Sequence, residues 1–180
     1  MEAQRAEDAL VSRAQGGDAE ALHELVVWIL PSVRNLVRYL VRGDPDVDDL
    51  AQEGMVTVLR GLASYQGTGT FKAWANRVVA RSVFAARRKR AQLREVPEVD
   101  VAPEIAPDDL AEQYQRRRQV VGLLDQLPSE QRDALVLHYA VGLSVAEVAF
   151  MLDASAETVR SRLRLAKRKL RQNSGAGRDA

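Results

Sequence analysis

The sequence predicts an all-α protein of two small helical domains joined by an acidic, Pro-containing linker. Three observations carry this expectation. Apolar residues are 46% of the chain, enough for a core, yet only 5% are aromatic and β-branched residues seldom alternate with polar ones, so the strand pattern is missing. Ala, Leu, Arg, Glu and Gln recur instead, which favours helix. The composition then changes abruptly in "REVPEVDVAPEIAPDD", where three Pro and many acids make an extended tether. The expected divisions are a front domain over 1–92, a linker over 93–109, a rear domain over 110–173 and a frayed tail over 174–180.

In the front domain, helical spacing starts at Glu7 and continues to about Arg42, interrupted by "QGGDAEAL". Asp18 is the expected N-cap of a helix carrying Leu22, Leu25, Val26 and Ile29. Pro31 allows a kink or a fresh start there. "GDPDVDD" is a turn leading into a helix from Asp46 to about Ala63, with Leu50, Met55, Val58, Leu59 and Leu62 inward. "SYQGTGT" is a loop, and a further helix runs from near Phe71 into the basic run Arg87-Arg88-Lys89-Arg90.

The rear domain is punctuated by "LPSE", "VGLS" and "LDASAE". Ser144 with Glu147 three residues on is a capping box, and Ser155 with Thr158 supplies its cap half. Two short helices around so brief a turn, the second basic, describe a helix-turn-helix. In the second, Val159, Leu163, Ala166 and Leu170 form a stripe for docking. Ser155, Thr158, Arg160, Ser161, Arg162, Arg164, Lys167 and Arg168 are left for a partner. A solvated face mixes signs, whereas "SAETVRSRLRLAKRKLR" has seven cations and one acid, a pattern that suits the phosphates and base edges of duplex DNA.

Other chemistry is harder to place. Asp48, Asp49, Gln52 and Glu53 share one polar side of a helix. Such carboxylates favour a helix N-terminus, could dock a basic partner, or, with Asp44 and Asp46, could ligate a metal in an enzyme acting on nucleic acid. The spacing lacks the glycine and terminal glutamate of a calcium loop, and His23 and His138 are far apart, so no enzyme, cofactor or metal site is expected. Tyr65, Phe71 and Trp74 lie among Lys72, Arg77, Arg81 and the basic run, a mixture suited to single-stranded nucleic acid. Phe71 and Trp74 read more simply as core, Tyr65 less so. Net charge is only +1, so distribution matters more than the sum. The chain has no Cys, a polar start unlike a signal peptide and no apolar run near the roughly 20 residues of a membrane span, so a soluble cytoplasmic protein is expected.

From about Glu7 to Arg171 the chain resembles the extracytoplasmic-function class of bacterial sigma factors. "DVDDLAQEGMVTVLRGLASYQGTGTFKAWANRVVARSVFAARRKR" is similar to sigma region 2, and "LLDQLPSEQRDALVLHYAVGLSVAEVAFMLDASAETVRSRLRLAKRKL" to sigma region 4. The resemblance implies that Asp48, Asp49, Gln52 and Glu53 dock on core RNA polymerase. It implies that Tyr65, Gln66, Thr68, Thr70, Lys72, Arg77, Arg81, Arg87, Arg88, Lys89 and Arg90 serve the single-stranded −10 element, the loop holding a flipped base. It assigns the rear basic helix to the −35 duplex and implies an anti-sigma protein as regulator. "GTGTF" and Arg164-Leu165-Ala166-Lys167 depart from the commoner family residues, so the bases read are not implied. The competing expectation is a stand-alone helix-turn-helix regulator that binds duplex DNA as a dimer.

Overall fold

The computed structural model describes residues 2–41, 47–93 and 111–175. These residues form helices α1 (Glu2–Gln15), α2 (Ala19–Leu40), α3 (Val47–Gly61), α4 (Phe71–Leu93), α5 (Ala111–Asp125), α6 (Ser129–Tyr139), α7 (Val145–Met151) and α8 (Ala156–Gly175), with no strand among them. A 3₁₀ turn, Leu62–Ser64, follows α3. The chain divides into two compact units, Met1–Arg38 with Pro45–Val99, and Tyr39–Asp44 with Asp100–Ala180. The expected linker lies almost wholly outside the described residues; only Leu93 is described, as the end of α4.

In the first unit, Gly17 adopts φ +87° and breaks the chain between α1 and α2. Asp18 then caps α2, its Oδ1 accepting the backbone N–H of Glu20 and of Ala21 at 3.0 Å each. The N–H of Ala21, followed by the Arg13 guanidinium, holds the Asp18 carboxyl below the usual carboxylate range. Helix α2 continues through Pro31 without a break. Proline removes one ladder hydrogen bond, and the ring lies on the exposed side while Leu25, Ile29, Val33, Leu36 and Val37 are buried. Leu22 and Val26 are only half-buried, so the buried stripe is narrower than the apolar run.

Helix α3 lies closely on α4 because position 54 has no side chain. A Cβ there would stand 3.1 Å from Val79 Cγ1 and 3.3 Å from Val79 Cγ2. Leu50, Met55, Val58 and Leu62 are buried as expected, and Leu59 is half-buried. Phe71, at the start of α4, is 0% exposed.

In the second unit, α8 packs on α6 and α7. The capping box is complete: Ser144 Oγ accepts the Glu147 N–H at 3.3 Å, and Glu147 Oε2 accepts the Ser144 N–H at 2.8 Å. The Arg132 side chain is almost wholly buried and bonds Asp125 at 2.8 Å, tying α6 to the end of α5. Asp153, at φ +48°, turns the chain between α7 and α8. Ser155 caps α8, accepting the Thr158 N–H at 3.0 Å. The helix runs to Gly175, so Ser174 and Gly175, expected in the frayed tail, belong to it, and 176–180 lie outside the described residues.

The close α3–α4 approach yields a test. Gly54→Val drives methyl groups into Val79 and should destabilise the protein by about 1–3 kcal/mol. Chemical denaturation of the full chain checks this, and no loss of stability would mean the two helices are not held so closely.

Candidate nucleic-acid interface

The first unit builds a loop held at both ends. After the 3₁₀ turn the chain runs from Tyr65 to Thr70. Gly67 and Gly69 adopt φ +75° and +83°, the left-handed region, where a side chain would be strained even though space is open around both. Gln66, Gly67, Thr68, Gly69 and Thr70 are exposed. Thr70 closes the loop as cap of α4, its Oγ1 accepting the Ala73 N–H at 3.2 Å.

Tyr65 is placed differently from the expectation that it offers its ring to a base. It is only 7% exposed. Its ring meets Phe71 edge-on, with centroids 5.4 Å apart and planes at 85°, and lies 5.4 Å from Trp74. Its hydroxyl donates to the Gly69 carbonyl at 2.7 Å. Tyr65 therefore shapes the loop from beneath, because a ring with this much apolar area gains more from burial than a Gly-rich loop can offer it at the surface. Burial, followed by the charges of Asp8 and Glu7, pushes the Tyr65 hydroxyl above its ordinary value, keeping it a donor. Phe71 and Trp74 belong to the same cluster, with centroids 5.3 Å apart, as the core reading expected.

Two residues of α1 that the sequence reading did not single out reach this loop. Gln15 Nε2 donates to the carbonyls of Leu62 and Tyr65, both at 2.9 Å. Glu7 Oε1 accepts the Phe71 N–H at 2.7 Å. These contacts are long in sequence, so no local motif announces them. The only trace is a face of Glu7, Val11, Ala14 and Gln15 at helical spacing, with Val11 and Ala14 buried between two polar ends.

The cations of α4 are sorted by the helix. Lys72, Arg77, Arg81, Arg88 and Lys89 are exposed, while Arg87 and Arg90 are half-buried. At 100° per residue, Arg77, Arg81 and Arg88 fall within one narrow strip. Arg87 lies over the Phe84 ring, 5.1 Å from its centroid, which accounts for its partial burial.

The carboxylates of α3 form a separate surface. Asp48, Asp49, Gln52 and Glu53 are all exposed, and Asp48 pairs with Arg34 of α2 at 3.1 Å. Val56, 40% exposed, continues the face of Asp49, Gln52 and Glu53 at helical spacing, an apolar end the sequence reading had not foreseen. No group of three or more His, Asp or Glu converges as a metal site among the described residues. Asp44 and Asp46 lie outside them.

In the second unit α8 gathers most of its cations on one exposed face. Val159, Leu163 and Ala166 are buried and Leu170 is half-buried, so the stripe docks the helix. Arg160, Arg164, Lys167, Arg168 and Arg171 then line one open groove of about 600 Å³, with Tyr139 of α6 on its wall. Lys167 Nζ stands 4.7 Å from the Tyr139 ring centroid. Ser155 and Thr158 are exposed at the N-terminal end, and Ser161 and Arg162 are half-buried on the flank. Arg160 pairs with Glu157 at 3.3 Å, an exposed contact that a phosphate or base can readily displace.

The chain matches the sigma-70 region 2 family over residues 25–92 and the sigma-70 region 4 family over residues 117–170. It is 32% identical over 176 residues to the ECF RNA polymerase sigma-E factor of Escherichia coli strain K12, covering 91% of each chain. It is 29% identical over 178 residues to the factor of the same name from Haemophilus influenzae, covering 91% of this chain and 92% of the other. Its fold is similar to that of CnrH, solved with the cytosolic domain of CnrY, at a TM-score of 0.55 and 23% identity over 97% of this chain and 99% of that one. It is likewise similar to RpoE of Bartonella quintana, solved with the anti-sigma factor NepR, at a TM-score of 0.57 and 19% identity over 86% and 96% of the two chains.

The Tyr65 hydroxyl gives a pH-dependent test. Its folded value is raised, so its contribution to stability is complete below the unfolded value near 10 and is lost as pH rises through the folded value. Tyr65→Phe should cost about 1 kcal/mol at neutral pH and remove part of the alkaline loss of stability. Equal alkaline unfolding of both proteins would show that the hydroxyl is not buried as described.

Proposed function

The chain belongs to the extracytoplasmic-function group of sigma-70 RNA polymerase sigma factors, and we propose that it directs promoter-specific initiation by a division of labour between its two helical units. The observation that carries this is the presence in one chain of an exposed, glycine-bent loop beside a basic helix, and a helix-turn-helix whose second helix carries five cations in one groove.

In this reading the loop receives one unpaired base of the −10 element. Unstacking costs a few kcal/mol, which a fitted pocket returns only for the right base. Gln66, Thr68 and Thr70 supply polar contacts to the base, while Lys72, Arg77, Arg81 and the basic run from Arg87 to Arg90 follow the phosphates. Tyr65 acts through the shape of the loop. Helix α8 enters the major groove of the −35 duplex with Ser155, Thr158, Arg160, Ser161, Arg162 and Arg164 towards the bases, and Lys167 and Arg168 hold phosphates. The face of Asp48, Asp49, Gln52 and Glu53, with Val56 at its end, docks on core polymerase.

Two DNA contacts borne by one polymerase need not be strong separately, because the second becomes intramolecular at an effective concentration of roughly millimolar. The factor performs no reaction of its own in this scheme and works where polymerase does, in the bacterial cytoplasm. A separate anti-sigma protein regulates it, a reading supported by the partners with which CnrH and RpoE were solved.

Transcription with purified core polymerase from a genomic library, followed by mapping of start sites, tests the function and supplies the promoter. On that promoter Arg160→Ala should lower −35-dependent transcription about tenfold and leave polymerase binding unchanged. Asp49→Ala combined with Gln52→Ala should weaken polymerase binding instead. Equal loss of polymerase binding in both variants would contradict the division of labour.

A further inference from the structure

We infer that α1 is a strut that sets the base preference of the −10-reading loop, with Glu7 and Gln15 as its positioning residues. The inference rests on the reading that the loop receives a base, and goes beyond it by naming what fixes the loop.

The geometry is specific. The Gln15 carboxamide has two N–H donors, and its nitrogen bonds two carbonyls, those of Leu62 and Tyr65, at the entrance of the loop. The Glu7 carboxylate takes the Phe71 N–H at its exit. That N–H belongs to the first turn of α4, which lacks partners inside the helix, and a carboxylate there is favoured by the helix dipole and by a charge-assisted bond. Glu7 and Gln15 are eight residues apart on one helix, so their backbone positions are separated by about 12 Å along a rigid axis. Burial of Val11 and Ala14 between them holds that axis against the unit.

The loop needs such a device. Its two left-handed glycines carry no side chain, and nothing lies within 4 Å of where a Cβ would be at either. Packing therefore does not hold the tip, and glycine costs the most entropy to order. One internal bond, from the Tyr65 hydroxyl to the Gly69 carbonyl, spans the loop. The external anchors come from α1, and they grip backbone at the two ends while leaving Gln66, Gly67, Thr68 and Gly69 exposed. A shift of either end moves the polar groups that face a base, and such groups discriminate only when they stay in hydrogen-bonding register. Residues 2–15 precede the region 2 family match, so the strut lies outside the segment in which base reading is ordinarily sought.

The test uses the full chain with core polymerase on the mapped promoter and on versions differing at single non-template −10 bases or single −35 base pairs. Glu7→Ala and Gln15→Glu should each reduce the −10 preference ratio by about three- to tenfold. Both should keep the −35 preference and polymerase affinity within about twofold of the parent. Glu7→Gln, which retains an acceptor oxygen, should recover most of the −10 preference. The combined Gln66→Ala and Thr68→Ala variant is the control. If it leaves the −10 preference unchanged, the reading of the loop is wrong and the strut falls with it. If it alters the preference and the α1 variants do not, the reading stands and the strut is refuted. A uniform loss in the α1 variants, at −10, −35 and polymerase alike, would mean that α1 only supports the fold, and would also overturn the inference.

Discussion

The complete burial of Phe71 is the constraint on which the front unit depends. Its ring meets Tyr65 and Trp74, and Trp28 of α2 at 6.5 Å, so three elements converge on the residue that begins α4. Burying such a side chain is worth about 2–3 kcal/mol, more than any single bond in the neighbouring loop. With Phe71 fixed, the start of α4 is fixed, and its cations take their places by helical geometry alone. Tyr65 joins this cluster, and the exposed residues 66–70 remain outside it, tied to it by the Tyr65 hydroxyl on the Gly69 carbonyl. The aromatic residues among these cations are therefore a foundation, and the surface a nucleic acid would meet is made of polar side chains and backbone.

The rear unit solves a related problem by segregation. Val159 and Ala166 are fully buried, and the same helix turns Arg160, Arg164, Lys167, Arg168 and Arg171 into one groove. A net charge of +1 conceals this, because the acids sit elsewhere, in the α3 face and in the tether sequence. Concentrated cations displace counterions from phosphate, so a nucleic acid held on such a face would be released steeply by salt. The acidic α3 face is suited to a basic protein surface. Opposite charges are thus gathered on different helices without changing the sum.

Local chemistry was legible in the sequence and long-range contact was not. Asp18, Ser144 with Glu147, and Ser155 announce their caps within three residues, and each is found in place. The docking stripe of α8 and the inward residues of α3 follow from periodicity. Tyr65 could not be placed this way, because its loop has no period and its burial depends on rings six and nine residues further on. Pro31 signalled a break that burial on the opposite face of α2 overrides. Glu7 and Gln15 act across 64, 47 and 50 residues, a separation at which a single sequence carries no signal. Apolar character also misled in places: Val56 and Phe150, the latter 90% exposed, belong to apolar runs yet stand at the surface.

If the proposed function is right, the front unit takes one base out of the stack when the chain acts with polymerase. Promoter fragments carrying 2-aminopurine at successive non-template positions of the −10 element report this directly. Emission should change at one position, and only when chain and core polymerase are both present. If transcripts start from the same promoter while emission stays at the duplex value at every position, base capture by the loop is contradicted.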